Sequence, residues 1–143
     1  MSRFTNPPAE AIAALLARVH TLTVVGLSPK PGRPSHQVAA AMQRLGYRII
    51  PVRPAVAEVL GEKTWPELQA VPEPIELVNV FRAPEHVGPI VDACIELGVP
   101  VLWLQDGVVN EPEARRAQAA GITVIMDRCI WRDRVSLLGD KTQ

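Results

Sequence analysis

The chain has 143 residues, 48% hydrophobic and 21% charged, which fits one globular domain with a core large enough to need no disulfide staple. Fifteen basic and fifteen acidic side chains cancel, so no net basic field draws the chain to nucleic acid or a membrane, and an anionic ligand must be held by a local cluster of donors. Cys94 and Cys129 form no C-x-x-C or zinc spacing, no apolar run nears the ~20 residues of a membrane span, and Pro7, Pro8 and Glu10 interrupt the N-terminus, so a cytoplasmic protein without a metal site is expected.

Ile12, Leu15, Leu16 and Val19 recur at i, i+3, i+4, i+7 behind the Pro7-Pro8 pair and predict an amphipathic helix. Thr21 to Gly26 reads as a first strand that stops at glycine, and the proline-rich residues 27–34 as a loop. Val38, Met42 and Leu45 share a helical face ended by Gly46, and Tyr47 to Val52 is a second strand. Residues 55–73, broken by Gly61, Pro66 and Pro72, read as short helical turns. Ile75 to Phe81 is a third strand, and Pro84 opens a helix that ends at Gly98. Val99 to Leu104 is a fourth strand, Glu111 to Ala120 an alanine-rich helix, and Ile122 to Met126 a fifth strand before a short tail.

Short apolar strands that alternate with helices, without an internal polar–apolar alternation, imply a parallel sheet buried on both faces. The expected fold is α/β, a Rossmann-like doubly wound sheet of about five parallel strands, with residues 1–143 as a single domain. Such a sheet takes its ligand outside the carboxyl ends of the strands, near the switch point.

The loop after the first strand, Gly26-Leu-Ser-Pro-Lys-Pro-Gly-Arg-Pro-Ser-His36, therefore carries the first candidates. A helix N-terminus offers free N–H groups and a favourable dipole to phosphate. Gly26, Leu27, Ser28 and Ser35 lie along this turn, Lys30 and Arg33 add positive charge, and Pro34 starts the helix, so a pyrophosphate is a suitable guest. The dinucleotide fingerprint G-x-G-x-x-G is not matched, because Ser28 stands in place of its second glycine. His36 is either a general base or a residue that packs at the helix start. The second reading is preferred, since no local acid orients it.

After the second strand, Pro51-Val-Arg-Pro54 lacks the acid that holds the ribose of NAD. Arg53 suits a ribose that carries a phosphate, as in NADP or coenzyme A, or is a solvated surface charge. Asn79 and Gln105 are polar groups at later strand ends, where a ligand amide or ribose can be met. Arg82 is a phosphate partner or a helix-flanking charge, and Phe81 a core residue or an adenine neighbour. Cys129 follows the fifth strand on the ligand side. It reads as a small buried hydrophobe in preference to a reactive thiol, and Cys94 as core.

Val25–His36, Gly46–Val52, Val80-Phe-Arg82, Trp103-Leu-Gln105 and Asp127-Arg-Cys-Ile130 together resemble the small bacterial and archaeal CoA-binding domain proteins, over about Ala9 to Leu137. The same fold forms the CoA-binding N-terminal domain of the succinyl-CoA synthetase alpha subunit. The resemblance implies that the loop after the first strand holds the CoA phosphates and that the turn after the second lies by the adenosine. It brings Gly26, Ser28, Arg33, Ser35, Val52 and Pro54 to the site. The family commonly has Asn where this chain has Arg53, and Asp where it has Asn79. The synthetase's phosphohistidine and ATP-grasp domains have no room here. The expected function is a non-catalytic module for coenzyme A or acyl-CoA, acting as carrier, sensor or accessory subunit. An NADP-binding oxidoreductase or redox sensor is the alternative, and a mixed disulfide between Cys129 and CoA is a further option.

Overall fold

The computed structural model describes residues 3–142. The chain opens with helix α1 (Ala9–Arg18) and strand β1 (Thr21–Val25), then helix α2 (Pro34–Arg44) and strand β2 (Arg48–Val52). A hairpin of β3 (Glu58–Val59) and β4 (Glu62–Lys63) follows, then β5 (Val78–Val80), α3 (Val87–Leu97), β6 (Val101–Leu104), α4 (Glu111–Ala119), β7 (Thr123–Met126) and α5 (Ile130–Leu138). Single 3₁₀ turns at Leu68–Ala70 and Pro84–His86 flank β5.

The five long-range strands form one parallel sheet in the order β2-β1-β5-β6-β7. The Rossmann-like doubly wound expectation holds. The sheet is buried on both faces because alternate side chains of each strand point to opposite layers. Val101 and Trp103 face α1, α2 and α5 with Leu15, Met42 and Ile130. Leu102 and Leu104 face α3 and α4 with Val91 and Ala117. The chain leaves β1 toward β2 on one side and returns to β5 on the other, so the loops after β1 and β5 diverge and open a crevice.

Two expectations are corrected. Residues 55–73 contain the β3–β4 hairpin and one 3₁₀ turn instead of helical turns alone. The hairpin turns at Leu60 and Gly61, both at positive φ (55° and 77°), the pair of conformations a two-residue turn needs to match strand twist. A leucine in that place gives no turn signal. The tail after the fifth strand is in fact α5. Its buried face includes Asp133 and Arg134, while Trp131, Val135 and Leu138 are exposed, the reverse of the usual amphipathic pattern. Arg128 satisfies Asp133 through two bonds of 2.6 and 2.8 Å. Arg134 donates to the Tyr47 hydroxyl and to the carbonyls of Gly139 and Lys141.

Candidate functional site

The switch point is drawn together by backbone bonds. Gly26 N–H donates to the Val52 carbonyl at 2.9 Å, and Phe81 N–H to the Val25 carbonyl at 2.9 Å. Gly26 has φ +85°, and a Cβ there would lie 2.4 Å from the Phe81 carbonyl oxygen. The glycine is required both by its left-handed backbone and by this close approach.

Two open cavities meet at this point and share Gly26, Arg53 and Arg82. The first, about 370 Å³, runs between the turn after β2 (Val52, Pro54), the segment Pro66–Gln69 and the α3 residues Pro89, Ile90 and Ala93. The second, about 460 Å³, runs along the loop after β1 to the end of β6, lined by Ser28, Lys30, Arg33, Pro34, Ser35, Phe81 and Gln105. The first suits a flat apolar ring, and the second a chain of polar and anionic groups.

The loop after β1 is braced from within. The Ser35 hydroxyl oxygen accepts from Ser28 N–H at 3.0 Å, and that of Ser28 from Lys30 N–H at 3.1 Å. Among the described residues both hydroxyl hydrogens remain to be donated. Arg33 is the residue before α2 and Pro34 its first, with no side chain capping the helix. The first N–H groups of α2 are thus not consumed by a side-chain cap, as an anion site requires. Among the described residues, Lys30, Arg33, Arg53 and Arg82 take part in no ion pair, whereas Arg48, Arg116, Arg128 and Arg132 each do. Among the described residues the Arg53 guanidinium is held only by a long 3.5 Å bond to the Gly26 carbonyl. Asp106, which lines the second cavity, is bridged by Arg132 at 3.0 and 2.9 Å.

The structure brings most sequence candidates to one crevice, but three stand apart. Leu27 is fully buried in the core, so only its backbone is available to a ligand. His36 faces a separate groove with Pro31, Gln37, Arg44 and Trp131. Cys129 is buried and borders an apolar depression beside Val38, Trp131 and Val135, outside the two cleft cavities. Cys94 is core, as expected, and burial pushes its thiol up to about 12. Asn79 is buried and acts on Gln105, to which it donates at 3.2 Å. Sequence reasoning missed Pro66–Gln69, because that segment reaches the cleft only through the hairpin. It also missed Ile90 and Ala93, whose helical spacing signals only a core-facing stripe.

A family model described as a CoA binding domain matches residues 20–134. The chain belongs to this CoA-binding domain family. It is 44% identical over 125 residues to protein YneT of Bacillus subtilis (strain 168), covering 87% of this chain and 93% of that one. Prb, a form of the PH1109 protein redesigned for binding, superimposes with a TM-score of 0.92 at 34% identity, over 98% of this chain and 99% of its own. A hypothetical protein of Pyrococcus horikoshii OT3 gives 0.90 at 32%, over 97% and 100%. Family membership supports the coenzyme A reading and lends nothing to the NADP alternative. Among the described residues no helix is long and apolar enough to cross a membrane.

Proposed function

We propose that this protein is a cytoplasmic binding module for coenzyme A or an acyl-CoA, working as a carrier, sensor or accessory subunit without a reaction of its own. The observation that carries this reading is the set of four cations, Lys30, Arg33, Arg53 and Arg82, unpaired among the described residues around a two-lobed crevice in a chain of zero net charge. Unpaired guanidinium and ammonium groups converging on one cleft are compensated when a polyanion binds. The N-terminus of α2 and the Ser28 and Ser35 hydroxyls suit the pyrophosphate. The cavity between Pro54, Leu68 and Ile90 suits the adenine, with Arg53 and Arg82 within reach of the ribose phosphate.

Thermal unfolding with CoA, acetyl-CoA, NADPH, NAD and ATP tests this. At ~100 times its dissociation constant a ligand stabilises by about 2.7 kcal/mol, a shift of roughly 5–15 °C at this size. CoA species are expected to raise the midpoint. A shift with NADPH and none with CoA overturns the reading.

A further inference from the structure

The amide of Gln105 is oriented by the backbone at both ends of a short relay. Gln105 Oε1 accepts from the N–H of Ile130, the first residue of α5, at 3.3 Å. It also accepts from Asn79 Nδ2 at 3.2 Å. Asn79 Nδ2 in turn reaches the Trp103 carbonyl at 3.4 Å. A backbone N–H can only donate and a backbone carbonyl can only accept, so both side-chain amides have a single self-consistent orientation. The oxygen of Gln105 points to the positive end of α5 and its NH₂ points away.

Gln105 is 5% exposed, and that exposure lies on the cleft, which it lines. Among the described residues its Nε2 bonds to nothing. In contrast to the sealed hydroxyls of Thr23 and Thr64, this nitrogen faces open space. A pre-oriented donor that opens on the cleft is hydrated in the free protein and can exchange that water for an acceptor of the ligand.

We infer that Gln105 is a specificity residue that donates from Nε2 to a neutral carbonyl oxygen of the ligand, and that Asn79 is a positioning residue that holds this amide in its donating orientation. Resting on the coenzyme A reading, this assigns the contact to an amide or thioester carbonyl of the pantetheine arm and not to a phosphate. The phosphates have the cations of the loop after β1. Gln105 is uncharged and sits by the apolar Phe81 and Val108, with Asp106 neutralised by Arg132, surroundings that supply no charge to hold an anion and suit a neutral acceptor.

The test compares two ligands by calorimetry: CoA, and adenosine 3′-phosphate 5′-diphosphate, which lacks the pantetheine arm. Gln105→Met is expected to weaken CoA about tenfold and leave the truncated nucleotide unchanged. Gln105→Glu keeps an oxygen for Ile130 and Asn79 while losing the donor, so it reports the same preference should the methionine variant fold poorly. Asn79→Leu weakens CoA in the wild-type background but adds nothing to Gln105→Met, which a merely structural Asn79 would not do. Equal losses for both ligands, or wild-type affinity in Gln105→Met, overturn this inference and leave the coenzyme A reading intact. Failure of the wild-type chain to bind CoA overturns both.

Discussion

Gly26 and Phe81 meet backbone to backbone, with room for no side-chain atom between the α-carbon of one and the carbonyl oxygen of the other, 2.4 Å from where a Cβ would stand. This contact sets the width of the crevice, since the ends of β1 and β5 are its two lips. Gly26→Ala pays for a left-handed alanine and for the displaced Phe81 carbonyl together. The expected loss is about 3 kcal/mol of stability by urea denaturation, with CoA affinity falling in the protein that stays folded. A neutral Gly26→Ala would mean that β1 and β5 separate without cost.

On the proposed reading the cleft cations bear on binding and hardly on folding. Arg33 and Arg82 are exposed and, among the described residues, in no ion pair, so alanine at either site is expected to change stability by no more than about 0.5 kcal/mol. Each loses charge-assisted bonds to phosphate and weakens CoA by roughly tenfold. The wild-type affinity falls with added salt, and that dependence is shallower in each variant. Calorimetry at two ionic strengths checks both points.

Stability has an alkaline limb that begins with a core thiol. Burial pushes Cys94 from the ordinary 9.0 up to about 12. Its folded value is raised, so its contribution is fully present below pH 9 and is lost as pH climbs toward 12, where the unfolded chain sheds a proton that the folded chain keeps. The expected slope is about 1.4 kcal/mol per pH unit in this window. Tyr47 adds to it above pH 10, because burial raises its hydroxyl further than Arg134 lowers it. Denaturation midpoints from pH 8 to 11 follow the curve, and Cys94→Ala flattens its first part.

Tyr47 ties the C-terminal helix to the N-terminal one. Its hydroxyl donates to the Leu16 carbonyl and accepts from Arg134 Nε at 3.0 Å. Tyr47→Phe strips Arg134, 3% exposed, of that acceptor, for an expected cost of about 1–3 kcal/mol. Because Tyr47 lies outside the crevice, CoA affinity is expected to stay at the wild-type value, which distinguishes this variant from those at Arg33 and Arg82.

The sequence by itself determined the parallel sheet and the place of the loop that we propose holds the phosphates. Five apolar runs and the glycine or proline at their ends are local signals, and strand burial on two faces needs nothing else to be recognised. Gly26, Ser28, Lys30 and Arg33 were legible for the same reason: strand, loop and helix start follow one another within sixteen residues, 21–36.

Tertiary structure alone decided the rest. Helix α5 hides from a periodicity test because its inward face holds Asp133 and Arg134, acceptable there only since Arg128, the distant Tyr47 and the Gly139 and Lys141 carbonyls just past the helix complete their bonds. The Asn79–Gln105–Ile130 relay joins residues 79, 105 and 130, and the direction in which Gln105 donates follows from partners that no local window contains. His36 and Cys129 have the right chain positions for the site yet face other grooves, because a helix or a strand end fixes the side on which a residue emerges and only packing fixes what stands opposite.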